Sequence, residues 1–451
     1  MTVVGAEAPQ WRSDHVWKMP TWFEPWLIVF ILFGSMYVTR NKAYSIFRLR
    51  RSPYKPVSSP GASTPRTPRS SSNTDPGRPA SRSFRSEQRQ HPLKRRRVLG
   101  IWTVTTPNSS RFAAHPHSRL LAKFPFLVEM FYWVITLLFY KTTDFLSRWY
   151  YGGSERLWDV AQAHGLALLE IEGAVFGGGQ TGTHRWAEWR IHHWFLNGAA
   201  NDDSRGVGLT ILNRVYALIH IPGTVGFIAY YYWAAPSFTR FATVRRTMTL
   251  LNLFAFVIFI LYPCAPPRFL PAELGFVDTV NGEDAASMWM SGNFVNYLAA
   301  MPSMHFGYAF AIGCVFVHAS GFLQSLPGGR RSGKRHSWTL VPGSGPEDDE
   351  NELEKPDVAD AADGVSPPGA VRRVWFLFFG LFYPSLILLA IVSTANHYFS
   401  DAFAAALVVL VSFLCNRVLM NFLPLEDWLL WMLRLEKPTP TTGRAWTKAE
   451  I

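Results

Sequence analysis

Long apolar runs alternate with polar segments along this chain, and the alternation predicts helices that cross a membrane. Trp22 and Trp26 flank the first run, as expected of an aromatic belt at a membrane interface. The pattern predicts an all-α fold, a polytopic bundle of six to seven transmembrane helices. The runs cover about Trp22–Val38, Phe124–Leu146, Ile211–Trp233, Met248–Cys264, Pro302–Phe322, Val374–Val392 and Ala402–Leu423.

The segment Arg156–Asn197 is amphipathic rather than continuously apolar, and its stretch Trp186–Phe195 predicts a helix lying at the interface. His192 and His193 are neighbours there, so on a helix they point about 100° apart. That spacing makes a poor metal pair, and we expect no metal site.

Two polar segments interrupt the apolar pattern. Residues 40–119 are rich in Ser, Pro and Arg and include Lys94–Arg97, which predicts a disordered basic arm. That basic cluster could be a nuclear-import patch, but a cytosolic arm near anionic lipid is the favoured interpretation. Residues 324–373 form a second flexible insert. The predicted domains are therefore 1–39 with the first helix, the arm 40–119, a catalytic membrane domain 120–423 and a cytosolic tail 424–451.

Composition agrees with a membrane protein, because 48% of the 451 residues are hydrophobic and only 17% are charged. The net charge of +12 lies mainly in polar segments and short loops. Basic loops beside apolar spans explain it better than nucleic-acid binding does, so we expect membrane lipids as partners. The sequence does not indicate whether there is a regulatory subunit. Cys264, Cys314 and Cys415 lack metal-ligand spacing and are expected to be buried thiols. Residues 1–20 show no signal-peptide pattern.

Lys and Arg crowd loops that fall on one side of seven alternating helices, and the positive-inside rule makes that side cytosolic. Several arginines in residues 156–214 lie on the opposite side and disagree with this orientation, but the positive-inside rule gives less weight to a loop of that length. Three polar motifs then lie together at the non-cytosolic edge: Tyr262–Arg268, Met301–His305 and Asn396–Asp401. Helix N-termini at such an edge bind phosphate through unpaired N–H groups and the helix dipole.

The residues of these motifs suit phosphoryl transfer. His397 and Asp401 are four apart, so on a helix the carboxylate can orient the ring and leave one nitrogen as nucleophile or base. His305 can protonate a leaving oxygen. Pro302 suits a first helical turn, Ser303 can cap it or bind phosphate, and Arg268 can clamp phosphate oxygens. No metal or cofactor is required.

Each of these features also has an ordinary structural explanation. A histidine at the end of a membrane helix is more often structural than catalytic, and a His-x3-Asp pair can be a simple interhelical contact. The placement of all three motifs at one membrane edge favours a functional site.

At these residues the chain resembles the type 2 phosphatidic acid phosphatase (PAP2) superfamily. Pro302-Ser-Met-His305 matches its P-S-x-H motif, and His397-Tyr-Phe-Ser-Asp401 matches its H-x3-D motif. The resemblance implies that His397 is the nucleophile, oriented by Asp401, and that His305 is the acid.

Two departures point to a particular branch. The family's Ser-Arg pair before the third-motif histidine is Ala390-Ile391 here, and Tyr-Pro-Cys-Ala-Pro-Pro-Arg268 replaces the usual first motif. These features resemble fungal inositol phosphorylceramide synthases and related inositolphosphotransferases, which leaves Arg268 as the phosphate clamp. His220, Asn396 and Tyr398 are possible pocket residues, although a hydrogen-bonded core histidine is an equal interpretation of His220.

The sequence therefore predicts an endomembrane enzyme, in the Golgi or the endoplasmic reticulum, that transfers a phosphoryl-containing head group between lipids through a phosphohistidine. Lipid phosphate hydrolysis is the alternative reaction and shares the first half-reaction. An alternative of another class is a non-catalytic protein that binds or transports lipids at the same site.

Overall fold

The computed structural model describes residues 22–42, 44–46, 91–177, 181–200, 204–279, 296–322 and 369–443. The side chains of residues 199, 200 and 220 are outside this description. Residues 47–90 of the predicted arm and 323–368 of the predicted insert also lie outside it. The described part is mostly helical, which is consistent with the predicted all-α class.

The described residues divide into two compact units. The first draws on the ranges 1–39, 128–419 and 441–451, and the second on 40–127 and 420–440. The predicted membrane domain, 120–423, is therefore close in extent to the central part of the first unit.

The described part of the first unit consists mostly of helices. In chain order they are α1 (Phe23–Val38), α3 (Leu127–Tyr151), α4 (Ser154–Phe176), α5 (Ala187–Ala200), α6 (Ser204–Arg214), a π-helical turn (Val215–Ile219), α7 (His220–Ala234), α8 (Phe238–Leu261), α9 (Met304–Ala319), α10 (Ala370–Ser393) and α11 (Phe399–Leu414). Short 3-10 turns occupy Gly182–Arg185, Pro267–Phe269, Ala272–Leu274 and Asn416–Phe422.

Among the described residues, α8 and α10 are long and apolar enough to cross a membrane. The number rises to five if each of three bent helix pairs is one span. Helices α1 and α9 are apolar but have only 16 residues each. Every predicted apolar run contains or overlaps a helix, and the count of six to seven spans stays a prediction.

The amphipathic segment 156–197 folds as α4 and α5, separated near the Gly177 break. Helix α5 confirms the predicted helix at 186–195, but one of its faces is buried: Glu188 and His192 are fully enclosed. Its position at a membrane interface stays a prediction.

Charged groups inside the first unit are paired. Glu129 of α3 is buried, and Arg245 of α8 binds its carboxylate at 2.6 Å. The Arg245 guanidinium also lies over the Tyr132 ring at 5.1 Å. A buried charge is costly without such partners. The pair therefore links α3 to α8 within the apolar bundle.

Helices α9 and α10 approach each other closely at two glycines. A Cβ on Gly313 would lie 2.5 Å from the Gly380 carbonyl oxygen and 3.1 Å from the Pro384 ring. Small residues at helix crossings let backbones approach in this way in membrane proteins. Helix α9 begins at Met304, one residue before His305, so this crossing helps to fix the helix that carries that histidine.

The second unit corrects the sequence prediction. Residues 40–119 were expected to be disordered, but Lys94–Val98 (β1) and Trp102–Thr106 (β2) form an antiparallel hairpin. The unit also holds a 3-10 turn, Ser109–Phe112, and two helices, α2 (Pro116–Lys123) and α12 (Leu423–Met432).

The hairpin is stabilised by an acid from the far end of the chain. Asp427 of α12 accepts bonds from Arg96 Nε at 2.9 Å and from Thr106 Oγ1 at 2.8 Å. Lys94 Nζ lies 3.6 Å from the same carboxylate. A composition that is too polar to form a core alone can thus fold around a distant partner, which is why the expectation for this part of the arm was wrong.

We expect Gly313→Ala to destabilise the protein, because the added methyl would overlap the Gly380 carbonyl oxygen. Overpacking of this kind costs about 1–3 kcal/mol. Thermal unfolding in detergent would measure it as a lower Tm. Gly34→Ala in α1 is the matched control, since no heavy atom lies within 4 Å of the added Cβ. An unchanged Tm for Gly313→Ala would show that the helices are not locked at this crossing.

Candidate active site

The short loop between α10 and α11 positions His397. The backbone N–H groups of Asn396 and His397 both donate to the Ile391 carbonyl, at 3.0 and 3.1 Å. The Asn396 side-chain amide donates to Thr394 Oγ1 at 2.6 Å. Ala395 adopts a left-handed φ of 53° within this turn. These bonds hold the loop, and with it the imidazole, in one conformation.

On its Nδ1 side, the His397 ring has two hydrogen-bond partners, and both are acceptors. Its Nδ1 lies 2.9 Å from the Ala300 carbonyl oxygen and 3.2 Å from Asp401 Oδ2. A carbonyl can only accept, so Nδ1 carries the hydrogen and Nε2 presents its lone pair. Burial lowers the pKa of His397 to about 3, and the positive charge of Arg268 acts in the same direction, against the Ala300 hydrogen bond. The imidazole is therefore neutral, and its Nε2 lone pair faces His305.

His305 lies against that lone pair. Its Nδ1 is 3.4 Å from His397 Nε2, and the ring centroids are 5.5 Å apart. His305 is the second residue of α9, and its ring stacks on Tyr216 at 4.3 Å. The two rings are close enough to contact the same phosphate group.

Asp401 joins the beginnings of two helices. Its Oδ2 accepts a bond from the Tyr398 N–H at 3.0 Å in the first turn of α11. Its backbone carbonyl accepts from the Ser303 N–H at 3.2 Å, immediately before α9. The residue thus orients His397 and aligns the helix that carries His305.

Ser303 is the N-cap of α9, as predicted, and its Oγ accepts a bond from the Phe306 N–H at 3.3 Å. Its side chain is fully buried. Pro302 differs from the prediction: it precedes the cap instead of occupying the first helical turn. Helix α9 therefore begins at Met304, two residues after Pro302.

Arg268 lies in the 3-10 turn after α8, and its N–H donates to the Ala395 carbonyl at 3.0 Å. Its Nη1 donates to Asp278 Oδ1 at 3.3 Å. Its Nε is buried and has no hydrogen-bond partner within the described residues. An anion entering the site would find this donor available and would compete with Asp278 for the charge.

The positions that would hold the missing Ser-Arg pair are apolar and enclosed. Ala390 and Ile391 are fully buried at the end of α10, and their carbonyls accept the backbone bonds of the loop. No guanidinium can reach the site from these positions. Arg268, bonded to the same loop, is the cation that the structure places beside His397.

Two glutamates that sequence reasoning did not single out hold the start of α11. Glu188 Oε1 accepts from the Phe399 N–H at 3.2 Å, and Glu172 Oε1 accepts from the Ser400 N–H at 2.5 Å. Burial and the neighbouring Glu172 carboxyl raise the pKa of Glu188 to about 9, so this carboxyl is protonated at neutral pH. The signal in the sequence that could have indicated these contacts is an acidic residue within an otherwise apolar helical segment.

His192 connects two further segments. Its Nδ1 lies 2.7 Å from the Ser393 carbonyl oxygen, and its Nε2 accepts a bond from the Val277 N–H at 3.2 Å. Burial lowers its pKa to about 4, which keeps the ring neutral. Both nitrogens therefore serve to join the loop beside Asp278 to the end of α10.

The expected pocket residues do not share one role. Tyr398 is fully buried, and its hydroxyl donates to the Ala265 carbonyl at 2.7 Å, so it packs the core instead of lining a pocket. Packing is so close there that a Cβ on Gly165 would lie 2.5 Å from the Tyr398 hydroxyl. Asn396 is buried and holds the loop. The side chain of His220 is outside the described residues.

Comparison with protein families gives one match. Residues 190–323 and 369–415 match the family described as the PAP2 superfamily. The matched segments contain Arg268, Ser303, His305, His397 and Asp401 and leave out the polar insert. A search of curated proteins and of solved structures found no match. The family match and the helical fold support a membrane enzyme of the phosphatase or phosphotransferase type.

Proposed function

We propose that the protein is a lipid phosphoryl-group transferase that acts through a phosphohistidine at His397, as an inositolphosphotransferase of the inositol phosphorylceramide synthase type would. The observation that carries the proposal is the 3.4 Å approach of His305 Nδ1 to His397 Nε2, with the opposite side of the His397 ring bonded to Ala300 and Asp401. A nucleophile, its orienting group and an acid are thereby within reach of one phosphorus atom.

In the first half-reaction, His397 Nε2 attacks phosphorus and forms the N–P bond. The bond from phosphorus to the leaving oxygen breaks, and protonated His305 gives its proton to that oxygen. The Nδ1 proton of His397 stays between the Ala300 carbonyl and the Asp401 carboxylate. These acceptors stabilise the positive charge that develops on the ring.

In the second half-reaction, the hydroxyl of an acceptor attacks phosphorus and gives its proton to His305, and the N–P bond breaks. His305 is then protonated again, and His397 returns neutral. A ceramide hydroxyl as acceptor gives transfer, whereas water gives hydrolysis. The two outcomes differ only in the acceptor, so the histidine geometry supports both equally.

Charge favours transfer from a lipid phosphodiester. Apolar Ala390 and Ile391 stand where the family has its Ser-Arg pair, so the site has one guanidinium fewer. A phosphodiester carries one negative charge, whereas a phosphomonoester carries about 1.5 to 2 at neutral pH. Arg268, already shared with Asp278, matches the smaller charge better. This supports the transferase over the phosphatase. We further propose an endomembrane location with the site on the non-cytosolic side, as the distribution of basic loops suggests.

The purified protein, reconstituted with ceramide and phosphatidylinositol labelled with ³²P, should transfer label to ceramide faster than it releases water-soluble phosphate. His397→Ala should abolish both products, and His305→Ala should slow both by about 10²- to 10⁴-fold, the usual contribution of a general acid. His318→Ala is the matched control, because this exposed histidine lies at the opposite end of α9. Release of phosphate from ³²P-labelled phosphatidic acid, with no transfer of label from phosphatidylinositol to ceramide, would identify a phosphatase, and full activity in His397→Ala would exclude both reactions.

Replacement of Arg268 separates an enzyme from a lipid-binding protein. A charged hydrogen bond contributes about 1.5–3 kcal/mol, so Arg268→Ala should lower kcat/KM by roughly 10- to 100-fold. Arg268→Lys should recover only part of the loss, because an ammonium cannot form the forked contact. A non-catalytic lipid binder would lose lipid binding in Arg268→Ala but would keep its function in His397→Ala. That pair of results would overturn the proposal.

Removal of the Glu188 carboxyl should impair catalysis without removing a reacting group. Glu188→Ala leaves the Phe399 N–H unpaired at the start of α11, which costs about 1–3 kcal/mol and loosens the loop that holds His397. We expect a lower kcat with little change in KM. Glu188→Gln keeps an acceptor and a hydrogen, as the protonated acid does, and should retain most of the activity. Equal loss in both variants would contradict a neutral Glu188.

A further inference from the structure

Helix α12 presents an apolar stripe to its surroundings. Leu425 and Met432 are 65% and 70% exposed, and Trp428 and Leu429 between them are also exposed. The spacing of three and four residues places these side chains on one face of the helix. A surface helix in water normally turns such a face inward.

The polar side of the same helix is the buried one. Asp427 is only 3% exposed and is held by Arg96 and Thr106 of the hairpin. At 100° per residue, Asp427 lies nearly opposite Leu425 and Leu429. The helix is therefore amphipathic with its polar face inside the unit and its apolar face outside.

The tip of the hairpin repeats this arrangement. Leu99, Ile101 and Trp102 are exposed at the turn between β1 and β2, and Ile101 reaches 78%. Tryptophan beside aliphatic side chains is typical of groups that enter the interfacial layer of a bilayer.

Cations stand next to the apolar tip. Arg95 and Arg97 are exposed on the strand β1, opposite Thr105 and Thr103 in the register. They alternate with Arg96, which points to Asp427 on the other face. Exposed arginines beside an apolar tip complement anionic lipid head groups.

We propose that the hairpin and α12 form a docking surface for a bilayer that contains anionic lipid. The stripe of Leu425, Trp428, Leu429 and Met432 and the tip Leu99–Trp102 enter the boundary between head groups and acyl chains, and Arg95 and Arg97 bind lipid phosphates. A bilayer is the occupant that fits an apolar exterior, interfacial tryptophans and basic flanks together. The chain also leads directly from this unit to an apolar helix, because Leu127 ends the unit's first range and is the first residue of α3. This role is independent of the proposed chemistry.

Spin labels on the full-length protein test the surface. Cys314→Ser and Cys415→Ser give a background in which the remaining Cys264 is buried. Single cysteines then replace Leu425, Met432 or Ile101, and Thr105→Cys, opposite Arg95 in the register, serves as the control at the level of the head groups. The proteins are placed in nanodiscs of phosphatidylcholine alone or of equal phosphatidylcholine and phosphatidylserine. Collision with oxygen and with a water-soluble nickel chelate measures the depth of each label.

We expect the labels at 425, 432 and 101 to have oxygen-to-nickel accessibility ratios several-fold above that at 105. Phosphatidylserine should deepen the label at 101, and Arg95→Gln combined with Arg97→Gln should remove that dependence. Nickel access at 425 and 432 equal to that at 105 would place the stripe in water and overturn the proposal. Exclusion of both reagents, or dipolar broadening between labels on two copies, would show a protein occupant and would overturn it as well.

Discussion

The hydrogen bond between His397 Nδ1 and the Ala300 carbonyl is the constraint on which the site depends, because it decides which ring nitrogen can react. That carbonyl is itself fixed. The Ala300 N–H donates to the Cys264 carbonyl at 3.2 Å, and the Cys264 N–H donates to the Leu298 carbonyl at 2.9 Å. A short ladder between the segment after α8 and the segment before α9 thus sets the tautomer of a histidine almost a hundred residues further along the chain.

Backbone contacts, more than side-chain contacts, bring the three motifs together. The Arg268 N–H bonds to the Ala395 carbonyl, and the Ser303 N–H bonds to the Asp401 carbonyl. Such bonds do not depend on the identity of the side chain. The side chain at position 391 can therefore vary without loss of the loop, and Arg268 lies in a different segment that the same backbone bonds hold in place.

The sequence predicted what depends on local spacing. The contact of His397 with Asp401, the cap at Ser303 and the placement of three motifs at helix ends follow from short-range signals, although His397 lies in the loop before α11 and not on the helix. It could not reveal partners that are distant along the chain. Glu188 and Glu172 meet the α11 backbone across separations of 211 and 228 residues, and Arg96 meets Asp427 across 331. An isolated acidic residue within an apolar stretch is the feature of the sequence that indicates such a contact, because a buried acid needs a partner.

The error over residues 94–106 comes from judging this segment by the composition rules of proteins that fold in water. A chain that folds against a bilayer can bury its polar groups and expose its apolar ones. The ion pair of Glu129 and Arg245 within the helical bundle is an example of such buried polar groups. The basic strand of the hairpin follows this rule on a small scale, because Asp427 neutralises Arg96 inside while Ile101 and Trp102 remain outside. Judged by the rules for water, such a sequence is too polar to fold and its apolar residues have no core to join. Judged by the rules for a bilayer, its polar residues form the core and its apolar residues form the surface.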